Sequence, residues 1–137
     1  MRLAAFEGLW TLTRRIEDVR AGATGHFEGR ARFTAVPGGL AYLEEGELVL
    51  GAARPMRASR RYFWREMGPE VEVDFSDGRF FHAFPVGAER PAATHYCAPD
   101  QYSVRYDFAA WPDWRAEWRA VGPRKDYAMI SDYRRAG

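Results

Sequence analysis

Apolar and polar residues alternate with a period of two along most of this 137-residue chain. No segment of about a dozen residues keeps the 3.6-residue apolar period of a helix. Such a chain buries its apolar side by building β-sheet. The cleanest case is GHFEGRARFTA from Gly25, where Phe27, Gly29, Ala31 and Phe33 share one face and His26, Glu28, Arg30, Arg32 and Thr34 the other. A strand apolar on one side and charged on the other belongs to an antiparallel sheet with one wet face. The small Gly29 and Ala31 inside imply a tight bend or a close neighbour. GLWTLTRRI from Gly8 reads the same way, with Trp10, Leu12 and Ile16 opposed to Thr11, Thr13 and Arg15.

Turn signals divide the rest of the chain. Pro37-Gly38-Gly39 precedes LAYLEEGELVL, and a loop containing Pro55 precedes RASRRYFWRE (57–66). Ser76-Asp77-Gly78 separates VEVDF (71–75) from RFFHAF (79–84) and predicts a hairpin, because Asp-Gly accepts the positive φ angles of a tight turn. THYCA (94–98) and YSVRYDF (102–108) flank Pro99-Asp100, and strands at 114–121 and 127–133 flank Gly122-Pro123-Arg124. Residues 85–93, with two prolines and no periodicity, read as a loop at one barrel mouth rather than a linker. The expectation is an all-β single domain over 1–137. Its strands must hide their edges, and closing into one antiparallel up-and-down barrel of about eight to ten strands does so. A two-sheet sandwich is the alternative.

Composition narrows the class. Hydrophobic residues at 47% supply a core, and the single cysteine, Cys97, excludes an internal disulfide framework and points to a reducing, cytoplasmic compartment. A net charge of +1 provides no overall field for a polyanion, so nucleic acid is not expected as a partner. No apolar run reaches the roughly 18 residues of a membrane span, and no membrane is expected as a partner.

Gly8-Leu9-Trp10 resembles the Gly-x-Trp signature of lipocalins and other calycins. That resemblance implies a tryptophan plugging the closed end of a barrel against a basic residue from a late strand, here Arg134 or Arg135. GLW, GxFxGxAxF at 25–33, YLEEGEL at 42–48, HYCAPDQY at 95–102 and GPRKDYAMISDYRR at 122–135 together resemble an uncharacterised bacterial family of lipocalin-like barrels. The resemblance covers nearly the whole chain and implies a fold, with no established activity to carry over.

Three groups of residues carry possible chemistry. His95 and Cys97 sit two apart on one strand and face the same way, with His82 on an earlier strand; imidazole and thiolate are zinc ligands, and Cys97 with a histidine base makes a nucleophile. Against both stands a plain barrel rim in which the histidines bond to tyrosines. Arg60, Tyr62 and Trp64 share one strand face, and Tyr42, Tyr102 and Tyr106 alternate on others. Facing inward, they offer aromatic walls and one fixed cation to an amphipathic carboxylate or phosphate; in the other registration Arg60 faces water beside Arg61 and the rings simply fill the barrel. Glu44 shares a face with Tyr42, Gly46 and Leu48, so it goes inward and wants a partner, for which Arg60 on the next strand is a candidate. Trp111, Trp114 and Trp118 read as core or lid, and an exposed Trp111 would mark a homodimer contact. The reading is a cytoplasmic binding protein that holds a small, partly apolar ligand. An enzyme working through His82, His95, Cys97 and Tyr102, and a solid barrel serving protein association, are the alternatives. Neither the ligand nor any cofactor is identified by these residues.

Overall fold

The computed structural model describes residues 1–136. The alternation becomes ten strands: β1 (Gly8–Asp18), β2 (Ala23–Val36), β3 (Gly39–Leu50), β4 (Met56–Met67), β5 (Glu70–Phe75), β6 (Phe80–Pro85), β7 (Ala92–Cys97), β8 (Asp100–Asp107), β9 (Trp114–Gly122) and β10 (Lys125–Arg135). All belong to one sheet, in the order β6-β5-β4-β3-β2-β1-β10-β9-β8-β7. Each strand is antiparallel to its ladder neighbours, and the first and last strands pair from Trp10–Arg135 to Asp18–Tyr127. The architecture is therefore the up-and-down barrel and not the sandwich. The wheel is incomplete only between β6 and β7, which have no backbone ladder among the described residues. Side chains bridge this seam: Phe81 of β6 stacks on Trp118 of β9, with ring centres 4.9 Å apart, and meets His95 of β7 edge-on at 5.4 Å.

A meander of ten strands places its connections alternately at the two ends. The end holding 37–38, 68–69, 86–91 and 108–113 is closed by a 3-10 turn, Leu3–Phe6. Phe6 is fully buried there and packs on Trp64, Phe108, Trp111 and Trp114 at 4.9 to 5.6 Å between ring centres. The Trp10 indole N–H donates to the Phe6 carbonyl at 2.8 Å. The basic partner of Trp10 is Arg135, whose guanidinium lies 4.0 Å from the indole centre and donates to the carbonyls of Ala5 and Glu7. Arg134 points outward, 3.9 Å from Asp113. Residues 86–91 lie at this closed end, tied along β8 by Tyr106 N–H to Pro91 O and Phe108 N–H to Glu89 O, both 2.9 Å. Trp111 is half-buried against Phe6 and Trp10 and so does not provide an exposed dimer contact. No helix is long and apolar enough to cross a membrane.

Two local departures from regular strand shape the interior. Gly29 and Gly46 face each other in the β2–β3 register, and a Cβ on Gly29 would fall 2.1 Å from the Glu45 carbonyl oxygen, so the two backbones meet where no side chain fits. In the β5–β6 ladder Val73 pairs with His82 but Asp74 pairs with Phe80, which leaves Phe81 as an extra residue. This bulge turns two consecutive side chains, Phe81 and His82, into the interior.

Candidate functional site

Above the aromatic plug the barrel is hollow. A cavity of about 450 Å³ runs from mid-barrel to the opposite, open end. That space excludes a barrel filled solid and lies within the range of small-molecule sites. Tyr42 and Glu44 of β3, Arg60, Tyr62 and Trp64 of β4, His82 of β6, His95 and Cys97 of β7, and Tyr102 and Tyr106 of β8 all line it. The inward registration of β4 is thus the one adopted, and the three histidine and cysteine candidates share one chamber.

The deep wall is a buried polar network. Arg14 of β1 grips Glu44 with both terminal nitrogens, Nη1 to Oε2 at 2.7 Å and Nη2 to Oε1 at 3.0 Å, and its Nε–H donates to Ser131 Oγ at 2.7 Å. The partner of Glu44 is therefore Arg14, although Arg60 stands opposite Glu44 in the β3–β4 register. Arg60 extends to the open end and is exposed, whereas Arg14 crosses the interior. The sequence held the signal for this, because alternation between Leu12 and Ile16 puts Arg14 on the inner face. Burial works against both charges, but the mutual hydrogen bonds outweigh it, holding Arg14 above its ordinary pKa and Glu44 below the usual carboxylate range. Tyr42 O–H donates to Glu44 Oε1 at 2.7 Å. Since Tyr42 has one proton, the 2.8 Å contact between the Tyr42 and Tyr133 hydroxyls is made by Tyr133 donating. Tyr133 and Phe81 are lining residues that the sequence reading did not name, and Trp118, read there as core or lid, also lines the cavity.

His82 is held by its Nε2, 2.8 Å from the Tyr106 hydroxyl. Burial pushes the Tyr106 phenol well above its ordinary value, so it keeps its proton. The arrangement that leaves the fewest groups unpaired has this phenol donating to Nε2 and the imidazole proton on Nδ1, which has no partner among the described residues. Burial, aided by the nearby His95, pushes the His82 pKa down to about 3. The unfolded chain, with an ordinary histidine near 6.5, takes up a proton that the folded protein refuses. Stability is therefore expected to fall as pH drops below about 6.5 towards 3, with His82 contributing up to about 1.4 kcal/mol per pH unit. Urea unfolding at pH 7 and pH 5 checks this: His82→Gln should lose less stability over the interval than the unmodified protein, and an equal loss in both would exclude His82 as the source.

Towards the mouth the lining becomes mixed. Phe75, Phe81 and Trp118 form an aromatic belt, with Phe75 and Phe81 stacked at 4.4 Å. Four arginines reach the cavity: Arg14 is paired with Glu44, Arg79 with Asp77 and Arg119 with Asp126, at 2.6 to 2.7 Å. Arg60 alone among the lining arginines has no carboxylate partner among the described residues. Lys125 Nζ, at the β9–β10 turn, donates to Tyr102 Oη at 2.8 Å and lies 3.2 Å from Asp100. His95 is half-buried and Cys97 exposed at the rim. No group of three His, Cys, Asp or Glu side chains able to hold a metal is assembled among the described residues, so the shared face of His95 and Cys97 does not extend to a ligand set with His82.

Comparison with known proteins agrees with this architecture. Residues 6–135 match the model of a family described as a family of unknown function, DUF6314. No curated protein sequence matches the chain. Among solved structures, that of an S-type phycobiliprotein lyase from Guillardia theta is similar, with a TM-score of 0.65, 9% sequence identity, and coverage of 98% of this chain and 90% of that one. At that identity the likeness is one of fold.

Proposed function

The chain belongs to DUF6314, a family of unknown function, and we propose that it is a binding protein for a small amphipathic molecule with one anionic group. The observation that carries this reading is the distribution of charge along the cavity. In the deep half Arg14 and Glu44 neutralise each other, and Tyr42, Tyr106 and Tyr133 are held protonated by burial. His82 is held neutral there as well. A ligand charge placed there would lose its water without gaining a counter-charge. At the mouth the Arg60 fork is free for a carboxylate, phosphate or sulfonate. Between them the aromatic belt suits a flat apolar body. The ligand thus enters with its neutral end leading and leaves its anion at the rim. The exposed thiol of Cys97 supports a cytoplasmic setting, where it persists unpaired.

Filling the chamber tests the reading. Ala120 is buried on β9 and lines the cavity. Ala120→Phe projects a ring into open space, so the variant should keep its melting temperature within a few degrees, yet lose the fluorescence enhancement that the unmodified protein gives to anilinonaphthalene sulfonate. Equal enhancement in both proteins would mean that the probe binds elsewhere and would overturn the assignment.

A further inference from the structure

We propose that the open end of the barrel docks on an anionic lipid bilayer, with the cavity mouth turned to the lipid. The first observation is where the exposed large apolar side chains lie. Each of the five open-end connections carries at least one or has it within two residues: Val19, Leu50 and Met56, Phe80, Tyr96, and Val121, all between 42% and 65% exposed. The rest of the described chain has only Met1 and Met67 in this class. Single exposed apolar residues are ordinary, but their confinement to one rim of the barrel is not.

The second observation is charge. These connections and the two strand residues on either side carry Arg20, Arg54, Arg57, Arg79, Arg124 and Lys125 against Glu17, Asp18, Asp74, Asp77, Asp100 and Asp126. Five of the six carboxylates lie within 4 Å of an arginine or lysine, whereas Arg20, Arg54, Arg57 and Arg124 have no carboxylate partner among the described residues, so the unpaired charge at this end is predominantly positive. Arg54, Arg57 and Arg124 are exposed.

Apolar tips that alternate with cations suit an anionic bilayer, in which each tip enters the interface and each cation meets a phosphate. A protein partner would need a separate pocket for each of five tips arranged around a hole. The absence of a membrane-spanning helix is no obstacle, since the contact is made by turns at the surface. This inference extends the cavity reading by naming the surface that the mouth addresses, and it is testable without it.

Co-sedimentation of the full chain with two kinds of vesicle decides the matter, one of phosphatidylcholine and one with about one-third phosphatidylglycerol. The expected result is binding to the anionic vesicles, weakened by added salt, and little binding to the neutral ones. Arg54→Glu/Arg57→Glu/Arg124→Glu should weaken partitioning about 100-fold, and Met56→Ser/Val121→Ser about tenfold. None of these five residues lines the cavity, so both variants should still take up the uncharged probe N-phenylnaphthylamine. Retained uptake shows that the fold survives and separates a failure of docking from a failure of the cavity reading. Equal binding to both vesicles, no binding to either, or undiminished binding by the charge-reversed variant would overturn the proposal.

Discussion

Glu44→Gln is expected to destabilise the protein by about 3 kcal/mol, at the lower end of the cost of breaking a buried ion pair. At this chain length that corresponds to a fall of about 10 °C in melting temperature. The substitution preserves shape and removes charge. Arg14 then remains protonated in the interior, because no ordinary pH discharges a guanidinium, and it faces an amide where a carboxylate accepted two of its bonds. Tyr42 also loses a charged acceptor at 2.7 Å. The double substitution Arg14→Met/Glu44→Met removes both charges and should be less damaging than Glu44→Gln alone, since the pair's attraction largely offsets the cost of burying it. The exposed pair Arg105–Glu117, at 3.0 Å, provides the control: Glu117→Gln should change stability by less than about 1 kcal/mol. If Glu44→Gln proved as mild as Glu117→Gln, cavity water would be solvating Arg14, and the deep wall would not be the uncharged surface on which the proposed ligand orientation rests.

Arg60→Ala should weaken binding of anilinonaphthalene sulfonate by about 10- to 100-fold, the range for losing a hydrogen-bonded charge partner at a partly solvated site. The same variant should bind N-phenylnaphthylamine, which has the aromatic body without the sulfonate, as well as the unmodified protein does. That contrast isolates the anion from the apolar contacts. Arg60→Lys should fall between the two, since an ammonium keeps the charge but not the planar fork. Fluorescence titration of the two probes against the three proteins checks all of this. Parallel losses for both probes would mean that Arg60 shapes the mouth rather than recognising charge, and no loss for either would remove it from the site.

Much of this was open to reading from the residues alone. Alternation in GHFEGRARFTA put Phe27, Gly29, Ala31 and Phe33 inside, and Asp77-Gly78 marked a hairpin in which Gly78 takes a φ of +91°. Local sterics and side-chain period fix such features, and they act between near neighbours. The same period put Tyr42, Glu44, Arg60, Tyr62 and Trp64 on faces that proved to be one cavity wall, once the strands closed in order. The bulge at Phe81 was not legible. One extra residue reverses the faces beyond it, and its position depends on how β5 and β6 pair rather than on either strand by itself.

The exposed apolar rim was equally hidden, because its six members are spread over five separate turns and share a surface only after the barrel forms. The pairing of Glu44 was decided in the same way. The sequence by itself called for a cation beside an inward carboxylate on β3 and offered Arg60 on the next strand, while the period of Leu12 and Ile16 leaves Arg14 as a second candidate. Only the tertiary structure chose between them. Between Arg14 and Glu44 runs the row Leu12, Gly29, Gly46. Its two glycines leave the inner surface bare, and the Arg14 side chain has room to cross β2 diagonally. A charge finds its partner by distance through space, and that distance is set by which strands lie between and how much room their side chains leave.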